Sequence, residues 1–204
     1  MLIKKSDIEN FQSRYCAKFI NSLAGIRQAS LIGTRSLSGH SNLAIFNSLV
    51  HLGSSPALYG LVFRPNVVRR DTLNNILETK EFSINYVSVN DYKKAHQTSA
   101  KYEKNQSEFK EVGFTEVCLL DSKIPFIKEA NVKIALKFEE KVNLTINQTI
   151  LIIGSVQFIE LDEKIIDEDG FVGLEKQENL VCSGLDAYYK TELLSRLSYA
   201  EVEK

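Results

Sequence analysis

The chain has 204 residues, 44% hydrophobic and 25% charged, the mix of a globular protein with enough apolar material to bury a core. Its 25 basic and 26 acidic side chains leave a formal net charge of −1. That near-balance argues against a nucleic-acid binder, which carries a basic excess. A length of this order suits one undivided barrel or all-β domain, so residues 1–204 are expected to form a single domain.

The opening "MLIKKSDIENFQSRYC" lacks the apolar core of a secretory signal. Ser6 and Asp7 can cap a short first helix. Phe11, Tyr15, Phe19 and Leu23 then recur at fourfold spacing, which predicts a second helix ended by Gly25. From there the period changes. "QASLIGTRS" reads as a strand, "SLSGH" as a turn on Gly39, and "SNLAIFNSLVHLGS" as further strand, with Leu43 and Ile45 on one face and Ala44, Phe46 and Ser48 on the other. Ser55-Pro56 breaks the chain before the strand "ALYGLVFR".

"VVRRDTLNNI" predicts a helix start, with Asp71 or Thr72 as cap and Leu73, Ile76 and Leu77 on a buried face. The strand "EFSINYVSV" follows. "NDYKKAHQTSAKYEKNQSEFKEVGF" is polar and helical or looped, the kind of excursion from a β framework that forms binding lids. "TEVCLLD", "ANVKIALKFEEKVN" and "QTILIIGSVQFIELD" return to strand, with a hairpin connection across Asn143 to Gln148. "DEDG" is a turn too short for a calcium loop, and the tail from Asp186 to Tyr199 reads as a helix. Six or seven strands with inserted helices suggest an α+β barrel, and strict βα alternation is missing.

Familiar chemical signatures are absent. There is no G-x-G-x-x-G, no phosphate-binding G-x-x-x-x-G-K-[ST] and no G-x-S-x-G elbow. His40, His51 and His96 have no ligand spacing. Cys16, Cys118 and Cys182 lie far apart, which fits buried, inert thiols in a reducing cytoplasm rather than a disulfide framework or a metal site. The longest apolar run, "TILIIGSVQFIEL", is interrupted by Gly154, Ser155 and Gln157 and is too short to cross a membrane as a helix.

Two clusters remain. Arg69 and Arg70 stand before a helix N-terminus, which already carries unpaired N–H groups and partial positive charge. Arg70 and Thr72 could hold a phosphate monoester there, although a plain capped helix with solvated arginines explains the same residues. In "GHSNLAIFNS", Asn42 and Ser48 could face the polar edge of a planar heterocycle, or could simply end a turn and face solvent.

In order, "LIGT", "SNLAIFNSLVHLGSSPAL", "VFRP", "RRDTLNNILETKEFSIN" and "SEFKEVGFT" resemble the flavin reductase-like, FMN-binding split-barrel proteins, the flavoredoxin relatives. "GSVQFIELDEKIIDEDG" and "SGLDAYYK" are similar to that group's C-terminal half, so the resemblance runs from about Leu31 to Tyr199. It implies a mainly β, α+β fold: a six-stranded antiparallel Greek-key split barrel with peripheral helices. It also implies non-covalent FMN and a homodimer with FMN sites at or near the subunit interface.

Carried over by position, Asn42, Leu43, Ala44 and Ser48 would flank the flavin ring. Arg70 and Thr72, with help from Arg64 or Arg69, would take the phosphate, and His96, Thr98, Ser99 and Lys101 would add contacts from the polar excursion. Where many relatives show a Ser before the position of Ser48, this chain has Asn47. The implied activity is a cytoplasmic NAD(P)H-dependent flavin reductase, in which the nicotinamide passes hydride to flavin N5 and no protein acid or base is required. A flavoredoxin-like FMN electron carrier reduced by a protein partner, or a non-catalytic flavin-binding protein, would share the barrel.

Overall fold

The computed structural model describes residues 1–65, 70–103 and 106–202. Helix α1 (Lys5–Glu9) is capped from inside its first turn, where the Asp7 carboxylate accepts the Lys4 N–H at 2.8 Å. Helix α2 (Ser13–Leu23) ends as expected, with Gly25 at φ +84°. Its aromatic stripe packs on itself: the Phe11 ring centroid lies 4.8 Å from that of Tyr15 and 5.5 Å from that of Phe19, and no residue of α2 is fully buried.

Strands β1 (Arg27–Gln28), β2 (Ser30–Arg35) and β3 (Ser41–Phe46) follow, with Gly39 at φ +89° in the β2–β3 turn. β4 (Leu49–Ser54) and β5 (Ala57–Phe63) form a hairpin across a cis Ser55-Pro56 bond. Helix α3 (Asp71–Thr79) begins earlier than expected: Arg70 is its N-cap, so Asp71 and Thr72 lie in the first turn rather than at the cap position. Next come β6 (Glu81–Tyr86), α4 (Tyr92–Gln97), α5 (Glu108–Val112), and two-residue strands β7 (Glu116–Val117) and β8 (Phe126–Ile127). "TEVCLLD" is therefore strand only at its start, and Leu120 takes a left-handed φ of 53°. The 13-residue strands β9 (Val132–Leu144) and β10 (Thr149–Leu161) form a long hairpin, and β11 (Val181–Ser183) and β12 (Ala187–Tyr189) close the list of strands.

Among the described residues the main sheet is wholly antiparallel and has seven strands, in the order β3-β2-β6-β9-β10-β5-β4, within the six or seven read from the strand patterns but one more than the six that the resemblance implies. The extra strand arises because the "SNLAIFNSLVHLGS" stretch divides at Asn47-Ser48 into two strands on opposite edges of the sheet. That division dictates a barrel. In a flat seven-stranded sheet the outer strands would lie about 29 Å apart. The link from Phe46 to Leu49 spans at most about 11 Å. The sheet must therefore curl until its edges meet along a seam, where the Phe46 ring at the end of β3 and the Phe63 ring at the end of β5 lie 5.0 Å apart.

Alternation along β2 splits the core. Ile32 joins Leu61, Phe63, Phe82, Ile84, Leu136 and Ile152 in one cluster, closed by Leu73 and Ile76 of α3. Leu31 points the other way, into a second cluster with Leu43, Ala95, Phe109 and Leu180. This second cluster seats α4, α5 and a three-stranded sheet of order β1-β11-β12 against the barrel.

The tail departs from expectation. The helix predicted from Asp186 to Tyr199 is β12 followed by chain without regular structure to residue 202. Leu193, Leu194, Leu197 and Tyr199 stay exposed, and a short helix with no face to bury has little to sustain it. Arg196 instead pins the tail, pairing with Asp167 and Asp169 and lying 4.2 Å from the centre of the Phe171 ring.

Candidate cofactor-binding cleft at the barrel seam

A cleft of about 740 Å³ opens along the seam, between β3, the start of α3, the segment after α4, and the small sheet. Eight of the eleven residues proposed from sequence line it: Ala44, Ser48, Arg64, Arg70, Thr72, Thr98, Ser99 and Lys101. Asn42, Leu43 and His96 do not. Arg69 lies outside the described residues.

The cationic end is built around α3. Arg70 donates through Nε and Nη2 to Pro65 O, at 3.3 and 3.1 Å. That contact fixes the guanidinium and uses two of about five N–H donors. Thr72 is only 6% exposed, and its hydroxyl oxygen accepts from Asn42 Nδ2 at 3.0 Å, so its own proton can be donated. Asn42 therefore acts from behind, orienting Thr72, with a longer contact of 3.4 Å to Thr34 Oγ1. Asn75 donates to that same Thr34 oxygen at 3.1 Å and ties the helix to the strand. The nine-residue helix adds its partial positive charge, and Arg64 and Lys101 line the same cleft.

Along the middle, Ala44 offers an apolar surface, and the Ser48 hydroxyl donates to Val62 O at 2.7 Å, so it faces the cleft as an acceptor. Leu43 is buried, and its N–H donates to Glu108 Oε2 at 2.9 Å. Thr98 and Ser99 likewise turn their protons inward, to Ala95 O at 2.8 Å and His96 O at 2.7 Å.

The far end comes from strands that sequence spacing could not bring together. Arg27 of β1 faces Cys182 of β11, which faces Tyr188 of β12, so three cross-strand neighbours form one row, all lining the cleft. Arg27 reaches Ala24 O and Asn47 O, and the Asn47 amide donates to Gly184 O at 2.6 Å. Asn47 thus spends its side chain binding the small sheet to the seam. His96 stands behind Tyr188, its Nδ1 2.9 Å from the hydroxyl. Burial pushes the Tyr188 hydroxyl up to about 12, with Cys182 and Asp186 adding to the shift. Burial also raises the Cys182 thiol, and Arg27 pulls it partly back. Cys182 is buried as expected, whereas Cys16 is half-buried and Cys118 exposed. Arg27 and Cys182 carry no local signature; only their strand pairing brings them to the cleft.

Among known proteins, residues 26–175 match the flavin reductase like domain. A candidate flavin reductase with split barrel domain from Shewanella frigidimarina NCIMB 400 is 41% identical, with a TM-score of 0.94 over 98% of this chain and 100% of that one. At 19% identity the same fold recurs in nitrilotriacetate monooxygenase component B from Bacillus cereus, with a TM-score of 0.84 over 97% of this chain and 98% of that one. It recurs again in flavoredoxin of Desulfovibrio vulgaris (Miyazaki F), at 19% identity, with a TM-score of 0.74 over 86% of this chain and 92% of that one. With a domain match covering most of the chain and the same curled sheet in these structures, the protein belongs to the flavin reductase like family and has its split-barrel fold.

Proposed function

We propose that the seam cleft binds FMN without a covalent bond, and that the protein is an NAD(P)H-dependent flavin reductase or a related FMN oxidoreductase. The observation that carries this reading is the make-up of one cleft: Arg70 and Thr72 at a helix start, Arg64 and Lys101 in the same lining, the apolar residues Ala44, Ile45 and Phe46 of β3, and Arg27 in the small sheet. Its volume of about 740 Å³ lies inside the range of roughly 300–1,000 Å³ typical of small-ligand sites. A phosphate monoester joined to a planar ring system has the matching chemistry, an anion at one end and an apolar face with a polar edge at the other.

Bound there, FMN would supply the redox chemistry, accepting hydride at N5 from a nicotinamide. The protein's part is binding and orientation. Arg70 gives charge-assisted hydrogen bonds to the phosphate, and Thr72, held by Asn42, donates its hydroxyl proton to the same group. Ser48 presents lone pairs suited to a ring N–H, and Ala44 covers the ring face. Thr98, Ser99 and Lys101 complete the lining of the cleft.

The reading includes one domain over residues 1–204, a cytoplasmic setting and a homodimer. Among the described residues no helix is long and apolar enough to cross a membrane. Val50 and Leu52 on the edge strand β4 are 44% and 42% exposed, which supports a second copy as their cover.

Anaerobic titration of FMN-loaded protein with NADH and with NADPH tests the activity. Bleaching of the flavin by either nucleotide is expected. If neither nucleotide bleaches it but a reductase protein does, the protein is an electron carrier. Tight FMN binding without turnover from any donor would leave only a flavin-binding role.

A further inference from the structure

The cleft carries more positive charge than one phosphate neutralises. Its lining holds four cations, Arg27, Arg64, Arg70 and Lys101, against a single carboxylate, Glu108, whose Oε2 accepts the Leu43 N–H at 2.9 Å. A phosphate monoester brings about 1.5 to 2 negative charges at neutral pH, and an oxidised flavin ring brings none. With that phosphate bound, about one positive charge is left over.

Position says which. Thr72 is tied to the Asn42 side chain at 3.0 Å, and Arg70 stands beside it at the helix start. Arg27 stands past the other end of β3, its Nη1 donating to Asn47 O at 3.4 Å and its Nε and Nη2 to Ala24 O at 3.3 and 3.1 Å. From Asn42 to Phe46 the strand runs about 13 Å, and Asn47 lies beyond it. A phosphate held by Thr72 and Arg70 is therefore out of reach of Arg27. The second phosphate of a flavin dinucleotide, one bridging oxygen from the first, is out of reach as well.

Arg27 is nevertheless prepared for an anion. Among the described residues it has no carboxylate within ion-pair distance. Its carbonyl contacts use one proton on each nitrogen and leave one on Nη1 and one on Nη2. Such a pair can grip two oxygens of one phosphate, and the carbonyls hold the guanidinium before any ligand arrives. Cys182 and Tyr188, the other members of its cross-strand row, are neutral side chains, so the charge of that row is Arg27 alone.

We infer that Arg27 is a second anion site of this cleft, and that its ligand is the diphosphate of a nicotinamide dinucleotide. The inference rests on the flavin reductase reading above. The distance along β3 calls for a ligand separate from the flavin, and in that reading the hydride donor is the other molecule that carries phosphate. Arg27 is a binding and specificity residue: it favours donors that bear a diphosphate and touches none of the reacting atoms.

The test compares FMN-loaded wild type with Arg27→Gln. Calorimetric titration with NAD+, which transfers no hydride, should give a Kd about tenfold weaker in the variant, the low end for a hydrogen bond to a charged group. Added salt should weaken NAD+ binding to the wild type more than to the variant, since one screened charge is gone. Bleaching rates with NADH and with dihydronicotinamide riboside, which lacks the diphosphate, give a second readout. The preference for NADH over the riboside should fall about tenfold in Arg27→Gln. Equal NAD+ affinity in the two proteins would overturn the assignment. So would a parallel loss of FMN and riboflavin affinity with no change in donor preference, which would place Arg27 at the flavin ring. A wild type that no nucleotide bleaches, yet whose NAD+ binding still depends on Arg27, would keep the anion site and remove the reductase reading.

Discussion

Arg70 and Thr72 reach the cleft through different supports, one anchored on Pro65 O and the other on the Asn42 amide. If they hold a phosphate, the loss on mutation should depend on whether the ligand carries one. A hydrogen bond to a charged group contributes about 1.5–3 kcal/mol, which corresponds to roughly 10-fold to 100-fold in Kd. Arg70→Ala should therefore weaken FMN by that factor and leave riboflavin almost untouched, as read by fluorescence titration of both ligands. Equal losses would remove Arg70 from the phosphate role. Tyrosines give a second prediction at this scale. Tyr188 is shifted from 10.0 up to about 12, and burial raises Tyr86 further still. A folded-state value above the unfolded one means that the neutral ring favours folding below pH 10 and that this contribution is lost as pH rises through the folded value. Urea midpoints measured from pH 9 to pH 12 should fall steadily across that window.

The long β9–β10 hairpin shows how an element depends on one small residue. Its register shifts between Ile153 and Gly154, and a Cβ placed on Gly154 would meet Phe82 Cζ at 2.7 Å and Leu136 Cδ2 at 3.2 Å. Both neighbours belong to the barrel core, so neither can swing away into solvent. Gly154→Val should cost about 1–3 kcal/mol, the usual range for overpacking, seen as a lower urea midpoint with an unchanged slope. Elements without such packing went the other way. The tail had a helical pattern but no partner surface, and it took the form of a short strand and a strap fastened at Arg196. α2 kept its helix, yet its fourfold aromatic spacing served a cluster of its own rather than the core.

At the scale of the molecule, the Asn47-Ser48 link decides both shape and site. Because it joins the two outermost strands of the sheet, it closes the barrel, and the seam it leaves is where the cleft opens. The edge strand β4 exposes Val50 and Leu52, and the tip of the long hairpin exposes Ile146 at 92%. Edge strands with apolar side chains pair with other chains unless covered. If a second copy of this chain covers them, the double variant Val50→Lys, Leu52→Lys should sediment as a monomer where the wild type sediments as a dimer. Identical sedimentation of the two would remove β4 from the interface.

Periodicity alone was enough for most elements: the β2 and β3 strands around Gly39, the α3 face of Leu73 and Ile76, and the hairpin between Leu144 and Thr149. These depend on local alternation and turn chemistry, which a sequence carries openly. The cationic end of the cleft was legible for the same reason, since Arg70 and Thr72 are two residues apart at a helix start. The split of one apolar stretch into two opposite sheet edges was not, because nothing local distinguishes Asn47-Ser48 from the interior of a strand. Nor was the row of Arg27, Cys182 and Tyr188, which exists only through antiparallel pairing of segments more than 150 residues apart in sequence for Arg27 and Cys182. Local physics set the pieces; the closure of the sheet, a constraint on distance rather than on composition, decided which of them face one another across the cleft.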